Sequence, residues 1–170
     1  MISEKSFKFC PKCGGDFIVK EKYLLVCNKC CLHYYINPRP CNCALFENEN
    51  GEILLVVRKH DPRRGYYDFP GGFIDPEETL EESLTREIKE EFKIDINRWE
   101  YVMSYPDTYE YQGIIYETIC FLCKSFLSSK VKITPADDVA SVQFFNPKNF
   151  PYEMMAFAGM KKALKKIYAK

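Results

Sequence analysis

Three glutamates, Glu87, Glu90 and Glu91, stand close together in the run from Arg86 to Ile94. On a helix, residues three and four apart are neighbours, so Glu87 flanks both Glu90 and Glu91 and three carboxylates crowd one patch. Like charges this close destabilise a bare helix, and a cation relieves the repulsion. An all-oxygen ligand set favours Mg²⁺ or Mn²⁺ over zinc. Just upstream, Gly72 to Glu78 reads as a glycine turn that opens the acidic helix.

A second constellation lies at the other end of the chain. Cys10 and Cys13 form one Cys-x-x-Cys knuckle, Cys27 and Cys30 another, with thirteen residues between them. Four thiolates so arranged can close a tetrahedral zinc site. A filled Cys₄ shell leaves no open position, so the role is structural. Gly14 and Gly15 let the chain turn back so that amides can point at sulfur, and residues 16–26 alternate as a hairpin would. So small a unit takes its folding energy from the metal. Cys31 and His33 are spare candidates; His33 reads better as a packing or hydrogen-bonding residue.

The run from Gly72 to Ile94 resembles the Nudix box, the signature of hydrolases that cleave nucleoside diphosphates linked to another group. Gly72, Glu78, Arg86, Glu87, Ile88, Glu90, Glu91 and Ile94 fall on its fixed positions, while Lys93 stands where the family has glycine. That glycine usually ends the helix in a left-handed turn, so lysine costs stability there and removes no ligand. So many matched positions argue against acids that merely solvate a helix. The resemblance implies that Glu87, Glu90 and Glu91 hold Mg²⁺ or Mn²⁺, with a backbone carbonyl of Gly71 or Gly72, and that Arg86 and Glu78 pair to orient the helix. It also implies a general base on a later loop. Asp138 lies where many relatives carry an acid; Asp107, Glu110 and Glu117 are rivals, and a turn or cap role for Asp137 and Asp138 stays open.

These groups must be positioned by regular elements. Strands are expected over 41–47 and 53–58 around a turn at Asn48 to Gly51, then the box helix over 76–92 with Leu80, Leu84 and Ile88 inward. Further strands are expected over 99–104, 114–124 and 139–145, the first two joined by a Tyr-rich loop. A last helix keeps Phe157, Met160, Leu164, Ile167 and Tyr168 on one face. Strands and helices mix without regular alternation, which predicts an α/β fold with a mixed sheet. The resemblance implies a Nudix-type α/β/α sandwich, here preceded by a small zinc ribbon. The proline-rich joint at Asn37 to Pro40 divides the chain into a ribbon at 1–36 and a hydrolase domain at 37–170.

Nine cysteines are an odd count. Without an apolar signal sequence the reducing cytosol is expected, and metal rather than disulfides. Cys41 and Cys43 should share a strand face as small buried hydrophobes. Cys120 and Cys123, three apart on a strand, should point to opposite faces and hold no metal. With 46% hydrophobic residues, 28% charged and a formal net charge of zero, the chain suits a soluble globular protein. It gives no general attraction to nucleic acid or membrane.

Arg58, Arg63 and Arg64 precede the box and could meet phosphates; Tyr67, Tyr105 and Tyr109 could stack on a base or nicotinamide ring. The ribbon with the box looks like the branch that includes NADH pyrophosphatases. Those carry Ser-Gln-Pro-Trp-Pro-Phe-Pro after the box, where this chain has Ser104-Tyr105-Pro106-Asp107-Thr108-Tyr109-Glu110. Only the serine and first proline match, so NADH, ADP-ribose or another nucleotide-linked diphosphate is expected as substrate, with release of a nucleoside monophosphate. The alternatives are a nucleoside triphosphate pyrophosphohydrolase and a non-catalytic nucleotide sensor. The resemblance also allows a homodimer.

Overall fold

Both alternating sets of side chains are buried along residues 53–56: Ile53 and Leu55 belong to one core, Leu54 and Val56 to another. A strand covered on both faces lies inside a sandwich. The computed structural model, which describes residues 6–168, builds that sandwich. In chain order it has β1 (Phe17–Glu21), β2 (Leu24–Cys27), β3 (His33–Tyr35), β4 (Arg39–Glu47), β5 (Ile53–Arg58), β6 (Tyr67–Asp68), α1 (Leu80–Phe92), β7 (Glu100–Tyr111), β8 (Ile114–Phe126), β9 (Val139–Phe145) and α2 (Ala158–Tyr168).

Strands β1 to β3 make a separate antiparallel sheet, and the others a six-stranded mixed sheet ordered β6-β5-β4-β8-β7, with β9 also on β5. Among these strands the parallel pair is β4 with β8, in register from Arg39 opposite Thr118 to Glu47 opposite Phe126. Helix α1 buries Leu84, Ile88 and Phe92 against Ala44, Phe46, Leu54 and Val56. Helix α2 buries Met160, Ala163 and Leu164 against Leu45, Ile53, Leu55 and Leu122 on the other face. Each of the larger side chains, leucine, isoleucine, valine, phenylalanine or methionine, contributes about 1.5–3 kcal/mol by leaving water. The fold is the expected α/β/α sandwich, with the ribbon sheet before it. No described helix is long and apolar enough to cross a membrane.

Two element expectations need correction. The box helix starts at Leu80, not near residue 76: Thr79 is its N-cap in a capping box with Glu82, and Glu77 has φ 72°, which no helix accommodates. The Tyr-rich segment is not a loop. It completes β7, because aromatic residues suit a pleated strand and the reversal comes later, at Gln112 (φ 50°) and Gly113 (φ 78°). Two positive φ values in succession are what a tight hairpin of the primed type requires.

The cysteine geometry follows the strand period. Cys120 and Cys123 enter opposite cores, and Cys41 and Cys43 both pack on the α2 side.

Candidate active site

Gly71 and Gly72 pass close to both β4 and α1. Asn42, buried in β4, donates its N–H to the Gly72 carbonyl (2.8 Å) and accepts from the Gly72 N–H through Oδ1 (3.2 Å). Its Nδ2 donates to Ser83 Oγ at 2.8 Å, so one amide ties strand, turn and helix together. Gly71 has φ 131°, and a side chain on it would meet the Asn42 carbonyl. A side chain on Gly72 would collide with the Glu87 carboxylate. The turn therefore holds main-chain groups against the helix acids at a distance only glycine allows.

Arg86 binds most of that acid patch. It grips Glu78 with two bonds (2.6 and 2.9 Å) and reaches Glu87 Oε1 at 2.9 Å and Glu90 Oε2 at 3.2 Å. Those bonds hold the Glu78 carboxyl down at about 2. Glu91 is 5% exposed and accepts from the Gly71 N–H at 3.2 Å. Burial, and then the Glu87 charge, pushes its carboxyl well above the usual carboxylate range. Burial also raises Glu87, against the pull of Arg86. Desolvated carboxylates, hard oxygen donors and a glycine main chain pressed against them suit a divalent cation.

The acids open on a polar cavity of about 330 Å³ lined by Arg86, Glu87, Glu90, Glu91, Asp137 and Asp138. Beside it lies a second cavity of about 140 Å³, walled by Tyr105, Tyr109, Phe157, Met160 and three cysteines. Arg58, Asp68, Phe69, Gly71, Gly72, Phe73 and Asp138 line both, so the two are lobes of one cleft. Arg58 stands at the junction. It pairs with Asp68 (2.8 Å), donates to the Pro62 carbonyl (2.7 Å), and lies over the rings of Phe157 (5.2 Å) and Tyr109 (5.9 Å). Burial raises Asp68 to about 6 despite that arginine. Phe73 lines both lobes, and Arg39, which lines the carboxylate lobe, holds its guanidinium 4.3 Å over that ring.

The expected site residues divide as follows. Gly72, Glu78, Arg86, Glu87, Glu90 and Glu91 converge on the turn and helix, and Arg58, Tyr105 and Tyr109 line the cleft. Arg63, Arg64 and Tyr67 line neither lobe. Arg63 lies over Tyr66 at 5.8 Å, Arg64 is exposed, and Tyr67 packs edge-on against Phe145 with its hydroxyl on Gln143. Of the candidate bases, Asp138 lies at the mouth of both lobes, near His60 Nε2 (3.9 Å). Asp107 also lines the cleft, but its oxygens accept from the N–H groups of Thr108 and Met160, so it caps α2. Glu110 and Glu117 line neither lobe. Asn42 and Asp68 were absent from the sequence expectations. A lone amide inside the apolar run of β4 was the available signal, since a buried polar group needs partners.

In the ribbon, the Sγ atoms of Cys10, Cys13, Cys27 and Cys30 all lie within 4.8 Å of one another, with close approaches of 3.7 Å (Cys10 to Cys30) and 3.5 Å (Cys13 to Cys27). Sulfurs about 2.3 Å from a tetrahedral zinc are separated by about 3.8 Å, so the cluster fits that ion. The N–H groups of Cys30 and Lys29 point at Cys27 Sγ, both at 3.4 Å, and bring its thiol down to about 6. A side chain on Gly15 would strike Lys29 and Cys27 Sγ. Cys31 and His33 stand outside the cluster. His33 is exposed on β3, opposite Val26, which fits the expectation that it is no ligand and leaves, of the packing and hydrogen-bonding roles expected, only the second open.

The NUDIX domain model matches residues 37–169. Among characterised proteins, the NAD-capped RNA hydrolase NudC of Vibrio parahaemolyticus is 33% identical over 103 residues, covering 60% of this chain and 39% of the relative. The NudC of Pectobacterium atrosepticum is 32% identical over 103 residues, with the same coverage of 60% and 39%. The chain thus spans about two fifths of the length of the curated relatives it matches. Among solved structures, a NUDIX hydrolase from Nitrosomonas europaea superposes with a TM-score of 0.66 at 28% identity, covering 96% of this chain and 91% of that one. The NUDIX domain of Shewanella oneidensis NrtR, complexed with ADP ribose, gives 0.62 at 17% identity over 80% and 91%, a likeness of fold alone.

Proposed function

The chain belongs to the NUDIX domain family, and from that premise we propose that it hydrolyses a nucleoside diphosphate linked to another group, such as ADP-ribose or a dinucleotide, in a reaction that needs Mg²⁺ or Mn²⁺. The observation that carries the reading is the shared wall of the cleft. A lobe of carboxylates and glycine main chain runs into an aromatic lobe past Arg58, Gly72 and Phe73. Phosphates and a cation suit the first lobe, and a flat ring suits the second.

In this reading Glu87, Glu90, Glu91 and the Gly72 carbonyl hold the cation. When bound, it would neutralise phosphate oxygens and lower the pKa of the attacking water. Arg86 keeps the carboxylates aimed and shares their charge until the ion arrives. Asp138 takes the proton as water attacks phosphorus, reached from the exposed loop that also meets His60. Tyr109 and Phe157 pack on one another, centroids 5.9 Å apart, and offer the ring a joint aromatic surface that Arg58 orders. The four ribbon cysteines hold a structural zinc. The split into a ribbon at 1–36 and a hydrolase domain at 37–170 belongs to the same proposal.

The test is a panel of ADP-ribose, NADH, NAD⁺, dinucleoside polyphosphates and nucleoside triphosphates with Mg²⁺ or Mn²⁺, read by mass spectrometry. The name of the relatives adds an NAD-capped RNA to that panel. A nucleoside monophosphate is expected from ADP-ribose and from NADH, with no strong preference between them. Glu91→Gln should lose at least 10²-fold in kcat while keeping its fold, as is typical when a main electrostatic group of a site is removed. Pyrophosphate released from triphosphates, with linked diphosphates untouched, would overturn the reading.

A further inference from the structure

The proposed hydrolysis makes no use of the thiols of Cys41, Cys43 and Cys120, yet all three line the aromatic lobe. Cys41 and Cys120 are in-register partners on the parallel strands β4 and β8, and their Sγ atoms lie 2.9 Å apart. Adjacent strands run about 4.8 Å apart, inside the Cα separation of roughly 4.4–6.8 Å that a disulfide tolerates. Bonded sulfurs sit about 2.05 Å apart, so the pair needs to close by less than about an ångström. Cys43, two residues further along the same face, is engaged with Tyr105 Oη at 3.5 Å.

We propose that Cys41 and Cys120 are a reversible oxidation site, a thiol pair that hydrogen peroxide converts to a disulfide in the wall of the ring-binding lobe, weakening substrate binding. The catalytic consequence rests on the function proposed above; the oxidation site does not.

Cys120 is 7% exposed and Cys41 half-buried, so an oxidant small enough to enter the cleft can reach them. Hydrogen bonds from Cys41 first, then from Cys43, hold the Cys120 thiol down at about 4, and a thiolate is the form that attacks peroxide. In the first step the Cys120 sulfur takes one peroxide oxygen, the O–O bond breaks, and hydroxide leaves and is protonated to water. In the second the Cys41 sulfur displaces hydroxide from the resulting sulfenic acid, and the proton from Cys41 completes a second water. Two thiols and one hydrogen peroxide become one disulfide and two waters, with two electrons passing from sulfur to oxygen. The new bond draws β4 toward β8 beside Asn42, which carries Gly72, so the wall of the lobe shifts as its thiol hydrogens are lost.

The chain, loaded with zinc, would be treated with hydrogen peroxide, alkylated, digested and mapped by mass spectrometry. The expected product is a cross-linked peptide joining the Cys41 segment to the Cys120 segment, released by dithiothreitol, kept in Cys43→Ser and absent from Cys41→Ser. A link that survives Cys41→Ser, or full alkylation of both thiols after peroxide, overturns the site. In parallel, oxidised wild type should show a several-fold higher KM for whichever panel substrate it cleaves. Cys120→Ala, compared with its own untreated rate, should lose that response. A cross-link with unchanged KM overturns the catalytic half. A cross-link in a chain that cleaves nothing in the panel sinks the proposed function and leaves the oxidation site standing.

Discussion

Arg86 shows how one side chain can serve both fold and site. Its guanidinium spans Glu78, Glu87, Glu90 and the Phe73 carbonyl, so it crosslinks the entry turn to the helix and also sits on two of the carboxylates proposed to hold metal. Glu78 is the partner that keeps it from settling entirely on those two. Glu78→Gln should therefore raise the Mg²⁺ concentration needed for half-maximal activity, because Arg86 is freed to compete with the ion. The same change has a pH signature. Glu78 is held at about 2 in the folded chain against an ordinary value of 4.5. A carboxyl lowered on folding adds stability that is present above its unfolded value and is lost as pH falls toward the folded one. Urea denaturation should find wild type more stable than Glu78→Gln at pH 7, with the gap closing from about pH 5 down to 2. A gap that ignores pH would contradict the pairing. Glu78 and Arg86 were legible in the sequence because their spacing is local and fixed. Asn42 was not, since its partners lie thirty and forty-one residues away and only the fold brings them together.

Helix α1 carries the carboxylates, and both of its ends are set by local chemistry. Thr79 and Glu82 cap the start reciprocally, and Lys93 ends it at φ 59° and ψ 32°, with its N–H on the Lys89 carbonyl. A lysine in the left-handed region pays about 1–2 kcal/mol that glycine avoids, less the extra entropy a glycine loses on folding, about 0.5–1 kcal/mol. Lys93→Gly should therefore stabilise the chain by about 0.5–1 kcal/mol in chemical denaturation, with kcat within twofold of wild type. A loss of stability would mean that the lysine side chain holds something the backbone does not need. The helix end was readable from sequence, its start less so, because Pro76 and the acids after it suit a helix equally well as a turn until Thr79 supplies the cap. The Tyr-rich segment misled for a related reason: Tyr105, Asp107 and Tyr109 read as a polar aromatic loop. On β7 they become one strand face, turned by the period of two toward the cleft.

At the scale of the whole molecule, the ribbon and the sandwich are stabilised by different means. Both hydrophobic cores are built from residue 41 onward, around α1 and α2. Before residue 37, Cys10, Leu25 and Cys27 are the buried hydrophobic residues among those described, while Phe9, Ile18, Val19 and Tyr35 are more than half exposed. Two of those three buried groups are members of the cysteine cluster itself. So little full burial gives a three-stranded sheet a weak core, and under the proposed reading a structural zinc supplies the difference, worth roughly 10–16 kcal/mol to a unit of this kind. One zinc per chain is therefore expected by elemental analysis of reduced protein, and Cys13→Ser should abolish it. The same variant should make the ribbon, β1 to β3, sensitive to protease. The sandwich should still unfold cooperatively, with a melting temperature within a few degrees of wild type, because no ribbon residue enters either core. Absence of zinc under reducing conditions would remove the ribbon's source of stability. Collapse of the whole chain in Cys13→Ser would show instead that the sandwich depends on the ribbon through its surface, despite the separation of their sheets.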